Sequence, residues 1–143
     1  HKNGNIVTLV GSHLSVFDIN GQFLSSVGPG EYFGPHSRPS CAVSTDCPEW
    51  MDQGIVAVTG HVNGEIRFWG LDYDARILKM RHLMMDRAHR CAITALKVEG
   101  ERQDTLLAGD KNGVMSVCKT IQLETLNQQE LATVTEELRN GVR

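Results

Sequence analysis

The sequence predicts an all-β fold assembled from repeated units of short strands. Short apolar strands are joined by tight turns, as in the hairpin "IVAVTGHVNGEIRFWG", residues 55–70. Similar hairpins recur around Gly11, Gly60 and Gly109, which are spaced 49 residues apart. A period of this length that contains several short strands is typical of β-propeller blades, each of which is a small antiparallel sheet of about four strands.

The second and third hairpins also share their turn. We call Gly60 and Gly109 the repeat glycines of these hairpins. Asn63-Gly64 and Asn112-Gly113 follow them at the same distance, and an Asn-Gly pair supplies the positive φ angles of a tight turn. Around Gly11 the turn is shorter, with Ser12-His13 expected at its tip. The alternative is an unrelated β-sandwich whose hairpins happen to look alike, and it gives no reason for one common spacing.

Each blade can be divided into strands a to d in chain order. The first shows only b, c and d, with strand d at 22–27, because the sequence begins where an a–b turn should lie. The second has strands at 41–46, 55–60, 65–69 and 76–82, and the third at 93–98, 105–109 and 114–120. The predicted units are residues 1–28, 29–90 with a long entry loop, 91–123, and a tail at 124–143.

The tail changes in character. Leu131, Val134 and Leu138 are spaced three and four apart among Glu and Gln residues, which predicts an amphipathic C-terminal α-helix over 126–139. This helix would dock either on the last blade or on a partner.

Composition narrows the function classes. The net charge is −3, with 41% hydrophobic and 22% charged residues, and a nucleic-acid binder would usually carry a basic patch. The apolar runs are shorter than the roughly 20 residues of a membrane span, so membrane association should be peripheral at most. The four cysteines show no CxxC spacing, which favours no metal and no cofactor. The usual motifs of hydrolases, phosphate loops and metalloproteases are missing, so we expect no catalytic residues and no enzyme.

The segments "TGHVNGEIRFWG" and "AHRCAITAL" resemble the two halves of the WD repeat. "VTGHVNGEIRFWGLD" and "LLAGDKNGVMSV" are more narrowly similar to the C-terminal WD repeats of BEACH-domain proteins, large cytosolic scaffolds of the neurobeachin and lysosomal trafficking regulator type. The resemblance covers residues 4–120 and implies a propeller of about seven blades. The chain holds about two and a half of these blades, so we expect a fragment whose ring is completed by the rest of a parent propeller or by a second chain.

The resemblance also implies a structural hydrogen-bond network in each blade, formed by a histidine, a turn Asp or Asn, a strand-b hydroxyl and a strand-c Trp. In the second blade the matching residues are Thr59, Asn63 and Trp69, with no clear histidine. His61 is interpreted as a residue of the b–c turn.

In the third blade, His89 and Asn112 match the pattern of this network. Ala108 stands where the hydroxyl should be and Cys118 where the Trp should be, so the network is expected to be broken there.

Two loops carry aromatic residues that are candidates for partner binding. Tyr32 and Phe33 lie in the long connection 28–39, and Trp50 and Met51 lie in the loop 47–54. Loops on a rigid scaffold commonly carry binding function. The alternative is that these aromatics fold back onto the blades.

The resemblance implies a non-catalytic protein–protein interaction scaffold in membrane trafficking or autophagy. Its partners would be other proteins, and it would be cytoplasmic or peripheral on vesicle and organelle membranes. The alternatives are a WD-repeat adaptor subunit of a ubiquitin ligase or of RNA-processing machinery, and a propeller enzyme with a small substrate. Inner-strand residues such as Ala42 and Leu96 offer little chemistry for the enzyme.

Overall fold

The computed structural model describes residues 4–45, 54–84, 89–101 and 103–119, and these form ten β-strands. The strands are β1 Ile6–Val10, β2 His13–Phe17, β3 Phe23–Val27, β4 Pro39–Ser44, β5 Ile55–His61, β6 Ile66–Asp72, β7 Ile77–Met84, β8 Ile93–Glu99, β9 Thr105–Asp110 and β10 Met115–Lys119. The all-β prediction is confirmed, and the strand bounds differ from the predicted ones by a few residues at most. The predicted helix at 126–139 lies outside the described residues.

Three antiparallel sheets follow one another along the chain. Their strand orders are β1-β2-β3, β4-β5-β6-β7 and β8-β9-β10, so every strand pairs with its neighbour in sequence. In the order of their strands, the first sheet contains blade strands b to d, the second a to d, and the third a to c. We call them the first, second and third blades.

The second and third blades have the same register. Trp69 pairs with Ala57 and Phe68 with Val58 in the second blade. Cys118 pairs with Leu106 in the third blade, at positions 49 residues further along in both strands. The 49-residue period therefore holds at the level of single backbone pairs in these two blades.

Gly11 departs from the sequence alignment. It lies in the turn between β1 and β2 with φ 59°, whereas Gly60 is inside β5 and pairs with Ile66. The turn of the first blade is so short that its glycine becomes a turn residue, and β2 begins at His13. The 49-residue spacing between Gly11 and Gly60 thus does not reflect equivalent backbone positions.

The sheets pack face to face in the manner of propeller blades. The first strands of the second and third blades, β4 and β8, contact each other, and so do the last strands of the first and second, β3 and β7. Strands of the same rank are therefore neighbours from blade to blade, which is how blades stack around a common axis. The strand β4 also contacts β1.

The second blade has a hydrophobic cluster on each face. The cluster against the first blade includes Leu14, Val16 and Trp69, and the cluster against the third includes Phe68 and Ile93. Burial of each large apolar side chain in these clusters stabilises the folded state by about 1.5–3 kcal/mol relative to leaving it exposed. All seven residues of β5 are buried because sheets cover both faces of its blade.

Candidate functional site

The indole of Trp69 anchors a chain of buried hydrogen bonds in the second blade. Trp69 Nε1 donates to Thr59 Oγ1 at 2.7 Å, and Thr59 Oγ1 lies 2.8 Å from His61 Nε2. His61 Nδ1 bonds the backbone carbonyl of Ser37 in the loop that precedes β4. All three side chains are fully buried, so these bonds satisfy polar groups that water cannot reach.

The direction of every bond in this chain can be derived. A carbonyl oxygen only accepts, so His61 Nδ1 must carry the proton that Ser37 receives. When the ring is neutral, His61 Nε2 is the acceptor, and the Thr59 hydroxyl donates to it while accepting from the indole. In its neutral form, His61 is therefore the Nδ1–H tautomer.

The electrostatics favour the same neutral form. Burial lowers the pKa of His61 to about 3, and the nearby Arg67 cation adds to this effect. The bond to the Ser37 carbonyl acts in the opposite direction. His61 is consequently neutral at physiological pH.

His61 differs from the sequence-based interpretation. It ends strand β5 with its ring in the core, where it is the histidine that the second blade had been expected to lack. Asn63 lies in the turn, and its side-chain oxygen accepts from the backbone N–H of Glu65 at 3.2 Å. The network position is occupied by the residue directly after the repeat glycine, because a strand-end side chain points into the core and a turn-tip side chain does not.

The aromatic pair of the 28–38 loop folds back onto this network. Tyr32 stands edge-on to Trp69 with ring centroids 5.4 Å apart, and Phe33 does the same at 6.4 Å. Phe33 also contacts the ring of His61. Phe33 is 1% exposed, so its side chain is part of the core, and Tyr32 is half-buried. Trp50 and Met51 lie outside the described residues.

A buried ion pair between Arg67 and Glu65 also holds the 28–38 loop, through a bond from Arg67 to the backbone of that loop. Arg67 Nη2 donates to Glu65 Oε2 at 2.7 Å, and Arg67 Nη1 donates to the backbone carbonyl of Tyr32 at 2.6 Å. Burial lowers the pKa of Arg67 to about 10, so the guanidinium stays charged at neutral pH. Sequence reasoning did not identify this pair, although Glu65 and Arg67 lie two residues apart in the predicted strand 65–69, which is the spacing of same-face residues.

The third blade has its own network, with different members. His89 Nδ1 lies 2.9 Å from Asp110 Oδ2, and His89 Nε2 lies 2.7 Å from Ser116 Oγ. Asp110 Oδ1 accepts the backbone N–H groups of Asn112 and Val114 at 2.9 and 3.0 Å. The hydrogen bond from His89 lowers the pKa of Asp110, and the two turn amides lower it further against the effect of burial.

This network differs from the expected broken one. A hydroxyl on the neighbouring strand, Ser116 of β10, bonds the histidine although Ala108 offers none. Asn112 contributes its backbone N–H to Asp110. The signal that could have found Asp110 is the period itself, because Asp110 lies 49 residues after His61, directly behind the repeat glycine.

Neither a metal-binding cluster nor a membrane-spanning helix is found among the described residues. No group of three or more His, Cys, Asp or Glu side chains in the described ranges could hold a metal ion. Within the same ranges, no helix is long and apolar enough to cross a membrane.

The comparisons with known proteins agree with a WD-repeat relationship. No protein-family model matches the chain. The chain is 28% identical over 146 residues to the WD repeat- and FYVE domain-containing protein 4 of Mus musculus, an alignment that covers 96% of the chain and 4% of that protein. It is 34% identical over 67 residues to the protein of the same name from Homo sapiens, and this alignment covers 47% of the chain and 2% of that protein. The chain thus spans only a small part of the length of these relatives.

Among solved structures, the crystal structure of the computationally designed Ika4 protein superposes with a TM-score of 0.46. The sequence identity is 19%, and the match covers 80% of this chain and 64% of that one.

Proposed function

We propose that the chain is a protein–protein interaction module, the WD-repeat region of a larger BEACH-type scaffold that acts in membrane trafficking or autophagy. The observation that carries this is the similarity to a WD-repeat protein along 96% of the chain. The buried network of Trp69, Thr59 and His61 supports it, because such a network stabilises a blade while leaving the loops at the sheet ends available to partners. The scaffold would be cytoplasmic and associate peripherally with vesicles.

Affinity capture of the full-length protein from a cytosolic extract tests this proposal. We expect discrete proteins to co-purify with the wild type and to be lost with Trp69→Ala, which removes the buried indole of the second blade and so destabilises it. The double variant Trp50→Ala, Met51→Ala, in a loop predicted from the sequence to bind partners, should lose a subset of them. If the wild type recovers nothing beyond the Trp69→Ala variant, the interaction function is wrong.

One observation favours a second candidate, a hydrolase. Asp110, His89 and Ser116 are connected in the order that activates the serine of hydrolytic enzymes, at 2.9 and 2.7 Å. The side chains of His89 and Asp110 are 0% and 1% exposed, and Asp110 also closes the turn, which is what a structural network requires. We therefore favour the structural role for these three residues.

A fluorophosphonate probe separates the two functions, because it labels a serine that a histidine has activated. The scaffold predicts no labelling of the wild type above the level of Ser116→Ala. Labelling that disappears with Ser116→Ala, and with His89→Gln, would instead show that Ser116 is a nucleophile activated by His89, as the hydrolase requires.

A further inference from the structure

We propose that a preformed hollow between the first and second blades binds a protein segment in which an apolar side chain is followed by an acidic residue. This inference rests on the proposed interaction function and specifies where and what the module binds. The hollow has a volume of about 370 Å³ and lies between the tip of the β1–β2 turn and the loop that connects β3 to β4. Its lining includes Ser12, Pro29, Phe33, Pro35 and Arg38.

Contacts within the protein hold the walls of the hollow in place. Phe33 is held in the core against Trp69 and His61, which fixes the centre of the loop. On either side of it, Gly30 N–H donates to the Phe33 carbonyl at 3.0 Å and Gly34 N–H donates to Ser37 Oγ at 3.1 Å. A site that is formed before its ligand arrives loses little conformational entropy on binding.

The same bonds decide what the walls can recognise. The amides of Gly30 and Gly34 are already used within the loop, so they are not available to hydrogen-bond a ligand. The two prolines have no amide proton to offer. The walls therefore select by apolar contact, and a volume of about 370 Å³ suits one or two side chains of an aromatic or branched type.

Arg38 adds charge to this apolar surface. Its backbone carbonyl accepts the Val62 N–H at 3.0 Å, which fixes the residue at the start of β4. Its side chain is exposed, and it belongs to none of the ion pairs found in the described part of the chain. A guanidinium next to an apolar hollow favours a carboxylate adjacent to the side chain that fills it.

A protein segment fits these observations better than a membrane or a nucleic acid. One cation gives weak attraction to an anionic bilayer or to a phosphate backbone, where clusters of Lys and Arg are the rule. The net charge of −3 opposes both surfaces as well. A short peptide needs only one apolar residue in the hollow and one carboxylate at its edge.

The test uses capped hexapeptides in which a phenylalanine is followed by glutamate, glutamine or lysine, titrated against the 15N-labelled protein. We expect saturable shifts of the Ser12, Gly30 and Gly34 amides, with the glutamate peptide binding about tenfold more tightly than the lysine peptide. Arg38→Glu should reverse this order, and Ser12→Phe, which fills the hollow, should weaken all three peptides. Arg90→Glu, the same charge change at another exposed arginine, should leave the order as in the wild type.

The absence of saturable shifts at these amides, or an unchanged order of affinity in Arg38→Glu, would overturn the proposal. Vesicles that contain phosphatidylserine form a separate arm, and equal shifts with vesicles would replace the protein segment by a lipid surface. Affinity capture with Arg38→Glu and Ser12→Phe separates this inference from the proposed function. Partners that remain with both variants contradict the hollow alone, whereas a wild type that captures none contradicts the interaction function itself.

Discussion

The second and third blades share one hairpin backbone and stabilise it with opposite chemistry. The residue after the repeat glycine is His61 in the second blade and Asp110 in the third. His61 is held neutral and connects the core indole of Trp69 to a loop carbonyl. Asp110 is held ionised and connects two turn amides to His89. The backbone shape is common to both blades, while the side chains that satisfy its buried polar groups are exchangeable provided that each finds a partner.

The two blades also differ in how they are covered. The second blade lies between the other two, and every residue of β5 is buried. In the third blade, Met115 and Val117 of β10 are 71% and 57% exposed. A side chain of the second blade therefore contacts neighbours on more sides than its equivalent in the third. Paired substitutions at equivalent positions should show this difference as a difference in stability.

The largest difference in stability between the two blades is expected at the equivalent strand-c residues, Trp69 in the second blade and Cys118 in the third. Trp69→Ala should lower the free energy of unfolding by about 3–5 kcal/mol, because it empties a fully buried site and leaves Thr59 without its indole donor. Cys118→Ala, at the equivalent register position, should lower it by about 1 kcal/mol or less, because the thiol is small and only half-buried. Urea unfolding followed by far-UV circular dichroism measures both. Equal losses would show that the third blade depends on its own anchor as strongly as the second.

A second contrast concerns pH. The folded-state pKa of His61 is about 3, below the roughly 6.5 of an unfolded histidine, so the folded protein binds fewer protons between these values. The contribution of His61 to stability is complete above about pH 6.5 and is lost as the pH falls towards 3. The free energy of unfolding should decrease by about 2–3 kcal/mol between pH 7 and pH 4.5, and His61→Gln should remove most of this slope.

Asp110 provides the control for the pH contrast. Its pKa is lowered from a reference value of 3.8, so its contribution is present above that value and is lost only at lower pH. Asp110→Asn should therefore leave the slope between pH 7 and 4.5 unchanged. A slope in that range that survives His61→Gln would place the titrating group elsewhere in the protein.

Much of the fold could be predicted from the sequence because strand and turn signals are local. The Asn63-Gly64 and Asn112-Gly113 turns correctly predicted two hairpins. The hydrophobic alternation predicted the bounds of strands such as β6 to within a few residues of those in the structure. Gly11 is the exception, since a shorter turn at the same spacing moves the glycine out of the strand.

The site was less predictable because its bonds cross between strands and loops. Ser116 reaches His89 from a different strand than the family pattern expects, and His61 reaches a carbonyl 24 residues away. A sequence pattern assigns a hydroxyl or a histidine to a position in the chain. It does not show which strand end will point at which loop, because that depends on how the blades pack.

The smallest of the contrasts is at the repeat glycine itself. A Cβ added at Gly60 would lie closest to Ile93 Cγ2, which Ile93→Ala removes, and 2.6 Å from Ile93 Cβ and 2.9 Å from Cys41 Sγ. One added at Gly109 would meet Ala95 Cβ at 4.0 Å, an ordinary contact. We expect Gly60→Ala to cost about 1–3 kcal/mol through overpacking against the third blade, and Gly109→Ala to be neutral or stabilising by up to about 1 kcal/mol. A double-mutant cycle with Ile93→Ala, measured by urea unfolding, locates the strain. If Gly60 and Ile93 compete for the same space, the double variant loses less than the sum of the single losses. Strictly additive losses would mean that the glycine is required for the backbone of β5 and not for the approach of the next blade.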